Sequence, residues 1–224
     1  MSSRSASPRL TTILLDLDGT LVDPAAGIIG SCRHALEQLG CPADAADDLR
    51  WLIGPPMRES LARLVGSRAD PEDALRLYRA RYGGGGLTEA SLYDGVIEAL
   101  ATLRGRGFRL IVCTSKARVF AERVVEHFGL ADQLDGVYGP ELDGRFDDKG
   151  DLMAHIFAAE ALSPGAACMV GDRKHDILAA ARHGVPGIGV LWGYGDEAEL
   201  RQAGATIILD RPADLPAACD SLSA

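Results

Sequence analysis

The chain has 224 residues, 47% hydrophobic and 25% charged. That is enough apolar mass to bury a full core in one large domain, or in a domain with a small companion. A net charge of −9 argues against a nucleic-acid backbone or an anionic membrane as partner. An anionic small molecule remains compatible, because a metal or a few local cations reverse the sign inside one pocket.

In chain order, MSSRSASPRL holds no apolar leader, and residues 1–9 are expected to form a loose polar leader. The first expected strand is TTILLDL (11–17). From about 24 to 90 the pattern changes to helical spacing at 26–39, 57–65 and 71–82, with no convincing strand. Pro24, Pro55-Pro56 and the run Gly83-Gly84-Gly85-Gly86 punctuate this stretch. The glycine run is expected as a flexible linker, with Pro24 and the glycines as hinges. Short apolar runs then recur at FRLIVCTS (108–115), GVY (136–138), AACMVGD (166–172), VPGIGVLW (185–192) and ATIILD (205–210). Amphipathic segments at 95–105, 116–128, 148–161, 174–183, 196–203 and 212–222 separate them. Strands alternating with helices predict an α/β chain built on a doubly wound parallel sheet covered on both faces. The expected organisation is therefore a core of 10–23 and 91–224 with an all-helical module, 24–90, inserted after the first strand. The five cysteines, Cys32, Cys41, Cys113, Cys168 and Cys219, show no Cys-x-x-Cys spacing. That usage suits a reducing compartment. With no eighteen-residue apolar span, the expected location is the cytoplasm.

In an open parallel sheet, ligands bind beyond the carboxyl ends of the strands, and polar residues follow four of these segments. Asp16 and Asp18 close the first run. Residues two apart on an extended strand point the same way, and Gly19 then permits a sharp turn or a close backbone approach. Thr114, Ser115 and Lys116 follow the second run, where a helix start would add free N–H groups to two hydroxyls: an anion site. Lys149 stands ahead of an amphipathic helix. Gly171-Asp172-Arg173-Lys174-His175-Asp176 follows the fourth long run and brings a second pair of acids. Carboxylates gathered without a countercharge repel one another. Mg²⁺ resolves that conflict, since it takes hard oxygen ligands and joins carboxylates to substrate phosphate. The set reads as a phosphoryl-transfer site: a nucleophilic Asp, a metal, a cation, and donors for the phosphoryl oxygens.

The order Asp16-x-Asp18-Gly19-Thr20, Thr114-Ser115, Lys149, Gly171-Asp172-x-x-x-Asp176 resembles the haloacid dehalogenase superfamily across nearly the whole chain. Within it the chain looks most similar to the phosphoglycolate phosphatase-like group. The runs YDGVIEAL (93–100), TSKARVFAERVVEHFGL (114–130), GDRKHDILAA (171–180) and GVLWGYG (189–195) also resemble bacterial members described as 5′-nucleotidases. The resemblance implies a Rossmann-like core, and it makes the helical insert a type 1 cap. It implies that Asp16 attacks phosphorus and forms an aspartyl-phosphate. Asp18 would protonate the leaving alkoxide and then activate water. Asp16, the Asp18 backbone carbonyl and Asp172 would hold Mg²⁺, with Asp176 orienting metal-bound water. Ser115, Thr114, Gly19 and Lys149 would bind the phosphoryl group.

Two residues separate reactions within that superfamily. Its dehalogenases and phosphonate hydrolases do not keep the second Asp, so Asp18 points to phosphate esters. Its β-phosphoglucomutase-like members tend to carry valine where this chain has Thr20, which points to hydrolysis. The expected activity is a Mg²⁺-dependent phosphatase acting on a small metabolite, phosphoglycolate or a nucleoside 5′-monophosphate. The alternatives are a phosphomutase, or a silent binding module that kept the fold. In the cap, Arg58 after Gly54-Pro55-Pro56-Met57 either reads an anion on the leaving group or is solvated. Trp192 and Tyr194 either flank a base or sugar or pack at a loop. Asp23 is expected as a hinge or structural acid.

Overall fold

A computed structural model describes residues 9–222. The expected leader thus lies outside the described residues except for Arg9. The chain opens with β1 (Thr12–Leu15), β2 (Val22–Asp23), α1 (Ala25–Gln38), α2 (Met57–Val65), α3 (Pro71–Gly84), β3 (Ser91–Leu92) and α4 (Val96–Gly105). It continues with β4 (Arg109–Cys113), α5 (Arg118–His127), β5 (Gly136–Tyr138), α6 (Lys149–Ala159), β6 (Ala167–Gly171) and α7 (Lys174–Arg182). Last come β7 (Gly187–Val190), α8 (Glu197–Ala203), β8 (Ile207–Leu209) and α9 (Leu215–Leu222).

Six strands form one parallel sheet in the order β5-β4-β1-β6-β7-β8. β1 is buried along its whole length, as a central strand covered on both faces must be. Its side chains alternate. Ile13 and Leu15 join the core that extends towards α4 and α9, while Leu14 packs with Leu152, Met153 and Ile156 of α6 and Ala179 and Ala180 of α7. Leu15 pairs with Val112 on one side and Val170 on the other. The ends of β4, β1 and β6 are therefore level, and the strand order reverses at β1. Ligand sites form at such a switch point.

The three inserted helices share a core continuous with the first face of the sheet. α1 buries Ile28, Ser31, Cys32, Ala35 and Leu36, an i, i+3, i+4, i+7, i+8 stripe. α3 starts at Asp70, whose carboxylate accepts the Glu72 N–H at 2.8 Å, with Pro71 at the first helical position. The glycine run departs from expectation. Gly83 and Gly84 are the last residues of α3, and Gly86 packs where a Cβ would overlap the Ser31 hydroxyl and the Arg81 guanidinium. Gly86 permits close approach of α1 to the end of α3, whereas a Cβ on Gly84 or Gly85 would meet nothing within 4 Å; the run continues α3 and is not a loose linker. A second feature lies below the reach of periodicity. The two-residue strands β2 and β3 pair antiparallel, so the chain leaves and re-enters the sheet domain through one small ribbon. Among the described residues no helix is long and apolar enough to cross a membrane.

Candidate active site

Asp16 follows β1 directly and is 2% exposed. Its Oδ1 accepts the Leu17 N–H at 2.8 Å and lies 3.2 Å from Lys149 Nζ. Lys149 is the first residue of α6, and its ammonium also donates to Asp176 Oδ1. The other Asp176 oxygen accepts the Arg173 N–H at 3.0 Å and so caps the start of α7. Asp172, just past β6, accepts the Tyr194 N–H at 2.7 Å on Oδ2, while its buried Oδ1 has no protein partner. One oxygen each from Asp16, Asp172 and Asp176 lie within 4.8 Å of one another.

Three buried carboxylates against one ammonium leave an excess of negative charge. Burial pushes the Asp172 carboxyl well above the carboxylate range, and the neighbouring Asp176 and Asp16 push it further. Burial also lifts Asp176 to about 6, although Lys149 opposes the shift. For Lys149 burial works against the charged form, yet Asp16 and Asp176 outweigh it and hold the ammonium above its ordinary range. The residues fit a hard divalent cation on two grounds: the carboxylate excess, and the orphaned Asp172 Oδ1. The space is also kept open. Gly19 has φ +83°, and a Cβ there or on Gly193 would overlap the Asp172 carboxylate.

Asp18 has different company. Its Oδ2 lies 3.1 Å from Lys116 Nζ, and its Oδ1 is buried without a partner. Burial raises its carboxyl above the ordinary range despite Lys116. Lys116 is itself buried, and Asp18 and Tyr82 more than offset the desolvation of its ammonium. It donates to the Tyr82 hydroxyl of α3. The Ser115 hydroxyl is buried and unpartnered, as an oxygen donor awaiting a ligand would be. The Thr114 hydroxyl is occupied locally, accepting the Lys116 N–H at 3.2 Å. Gly19 donates its N–H to the Val22 carbonyl at 2.8 Å. Its place in the site is the close approach to Asp172, and its N–H is not available to a phosphate.

A cavity of about 50 Å³ lies between sheet and insert. Asp16, Asp18, Ser115 and Lys116 form its floor, and Arg58, Arg79 and Tyr82 stand on the opposite side. Arg58 is committed to Glu72, with Asp147 at 3.8 Å. Arg79 donates to the Leu142 carbonyl at 3.0 Å, and no carboxylate among the described residues pairs with it. Burial and the nearby Arg58 lower its guanidinium. Trp192 and Tyr194 do not line this cavity. Trp192 Nε1 donates to the Thr20 carbonyl at 3.0 Å, and the Tyr194 hydroxyl donates to Asp23. Both side chains thus tie their loop to the segment that follows β1, and Asp23 also accepts the Ala25 N–H at 3.0 Å.

Lys116, Tyr82 and Arg79 carry no role in the sequence reading. A signal was present for two of them. Leu75, Tyr78, Arg79 and Tyr82 follow an i, i+3, i+4, i+7 spacing, so a cation stands on the apolar stripe of α3.

The family model described as haloacid dehalogenase-like hydrolase matches residues 13–190. The chain belongs to this family. The tyrosine-protein kinase PtkA of Mycobacterium tuberculosis is 41% identical over 92% of this chain and 70% of its own length. The 5′-nucleotidase of Pseudomonas aeruginosa is 42% identical over 88% of this chain and 90% of its own. A predicted phosphatase from Clostridium acetobutylicum superposes with a TM-score of 0.90, at 33% identity, over 95% of this chain and 99% of that one. The family, the nucleotidase and the phosphatase identify the chain as a phosphoric monoester hydrolase. The kinase name of the mycobacterial relative stands apart from that agreement.

Proposed function

We propose that this hydrolase is Mg²⁺-dependent and works through an aspartyl-phosphate on Asp16. The observation that carries the reading is the contrast between two adjacent carboxyls. Asp16 is held by Lys149 at 3.2 Å. Asp18 has its proton affinity raised by burial and keeps Oδ1 free. A nucleophile held by an ammonium beside an acid that keeps its proton is the division that this chemistry requires.

Asp16, the Asp18 backbone carbonyl and Asp172 would hold the metal, with Asp176 orienting its water; both Asp176 oxygens already accept protein donors. When bound, Mg²⁺ supplies charge neutralisation for the phosphoryl oxygens. An Asp16 oxygen attacks phosphorus, the bond from phosphorus to the leaving oxygen breaks, and Asp18 transfers its proton to that oxygen. Asp18 then accepts a proton from water, whose oxygen attacks the phosphorus of the aspartyl-phosphate. Phosphate leaves and Asp16 is restored. Ser115 donates to a phosphoryl oxygen, and Lys149 balances the charge beside Asp16.

Residues 24–90 act as a cap over this site, with the β2–β3 ribbon at its base. The leaving group meets Arg79 and Arg58, which favours one that bears an anion, as in phosphoglycolate. A nucleoside 5′-monophosphate requires the cap to move, because a cavity of about 50 Å³ holds little beyond a phosphoryl group. The reaction occurs in the cytoplasm, away from nucleic acid and membranes. The test is phosphate release from a panel of phosphorylated metabolites with Mg²⁺. Release from at least one, abolished by chelation, is expected. Transfer of phosphate within a sugar phosphate, without release, would replace the hydrolase by a mutase.

A further inference from the structure

The Asp18 carboxyl is fixed from one side only. Lys116 Nζ holds Oδ2 at 3.1 Å, and the carboxyl lines the cavity with Oδ1 unpartnered. The terminal torsion of an aspartate is broad. Without Lys116 either oxygen would face the ester, and the carboxyl would present its proton at varying angles. With Oδ2 accepting from an ammonium, the proton of the acid sits on Oδ1, the oxygen left to the ligand.

Lys116 is in turn held by the insert. Its ammonium donates to the Tyr82 hydroxyl and lies 4.3 Å from the centroid of that ring. Tyr82 is 1% exposed. It stacks on Tyr78 at 5.4 Å within α3 and meets Phe120 of α5 edge-on at 5.5 Å. One aromatic residue of the insert is thus wedged against the sheet domain with its hydroxyl on the lysine that steers Asp18. Lifting α3 would withdraw that hydroxyl and expose a buried ammonium to water.

We infer that Tyr82 and Lys116 are positioning residues that aim Asp18 at the leaving oxygen only while the helical insert is seated. This inference rests on Asp18 being the proton donor. It makes proton transfer conditional on closure. The Asp18 proton passes from Oδ1 to the leaving oxygen as the bond from phosphorus breaks, and neither positioning residue gains or loses a proton.

The experiment is a series of substituted phenyl phosphates, from nitrophenyl to unsubstituted phenyl, with kcat/KM measured for wild type, Tyr82→Phe, Lys116→Met and Asp18→Asn. A good leaving group departs without a proton, whereas phenoxide needs one. Wild type should depend weakly on the leaving group. Tyr82→Phe keeps the ring packing, so a folded protein is expected and circular dichroism checks it. It should lose about 10-fold more on phenyl phosphate than on nitrophenyl phosphate, a fraction of what general-acid catalysis supplies. Lys116→Met should lose more, in the same direction. An equal loss across the series, or none, in Tyr82→Phe would overturn the inference. If Asp18→Asn steepens the dependence and Tyr82→Phe does not, only the positioning role falls. If Asp18→Asn leaves the dependence unchanged, the acid role of Asp18 falls first.

Discussion

The two sides of the cavity hold their charges in different ways. On the sheet side Asp16, Asp18, Lys116, Lys149, Asp172 and Asp176 are all buried: Lys149 joins Asp16 to Asp176, Lys116 holds Asp18, and Asp172 is held by the Tyr194 N–H. On the insert side the Arg58 side chain is 31% exposed, and its partner Glu72 is 63% exposed. The sheet side has little freedom to rearrange, since moving one charge would leave another buried and unpaired. The insert side can exchange partners at small cost, because exposed pairs contribute little. The proposed mechanism therefore puts reaction chemistry on the rigid surface and the choice of leaving group on the adjustable one. Tyr82 is the exception, an insert residue bound into the buried network.

The contrast is sharpest at Asp16. Asp16→Asn should remove phosphate release by at least about 10⁴-fold, with an unchanged circular dichroism spectrum. Residual turnover near wild type would break the assignment of the sheet side as the reacting surface. Chelation of metal should lower activity by at least about 10²-fold, with Mg²⁺ restoring it.

Metal removal also has a stability signature on the same side. Asp176 rises from 3.8 to about 6, and Asp172 and Asp18 rise as well. Between these values the folded, metal-free protein binds protons that the unfolded chain has released, so stability falls as pH rises through about 6. The increase in Tm on adding Mg²⁺ should accordingly be larger near pH 7.5 than near pH 5, about twofold or more, as measured by calorimetry. An equal increase at both would separate these carboxyls from the metal.

On the insert side Arg79→Ala should raise KM for 2-phosphoglycolate about 10-fold, against little change for p-nitrophenyl phosphate. Arg58→Ala should have the smaller effect, since Glu72 already occupies its guanidinium. The reverse order would make Arg58 the main reader of the anion, one of the two roles that the sequence leaves open for it. The smallest effect is expected where the two sides are strapped together. Arg173 donates to the Ile53 carbonyl at 2.5 Å and to Glu199 at 2.9 Å. Arg173→Ala should lower unfolding stability by about 1 kcal/mol, read by urea titration.

The six strands of the sheet were legible because each is an apolar run between amphipathic helices, a pattern that one stretch of chain carries by itself. The acids after β1 and β6 were legible for the same reason, and level strand ends bring them together whatever the loops do. The β2–β3 ribbon was not, since two residues per strand carry no period. The glycine run misled for a related reason. Glycine signals freedom in a sequence, whereas Gly83 and Gly84 continue α3 and Gly86 answers a close approach between α1 and the end of α3, which no local pattern records. Thr20 shows the limit of reading a motif: its hydroxyl is buried without a partner, and its discriminating value rests on the family resemblance.

What the sequence determined by itself is the order of the six sheet strands and the helices between them, and the gathering of Asp16, Asp18, Ser115, Lys149 and Asp172 at the carboxyl edge of the sheet, because strand ends and helix starts place those groups from local pattern and sheet topology. What only the tertiary structure decided is which cation answers which acid. Lys116 reaches Tyr82 across 34 positions, and Lys149 reaches Asp176 across 27. The first contact exists only after the insert packs on the sheet and the second only after α6 packs beside α7, because burial removes water as the competing partner and leaves each charge to the nearest polar group.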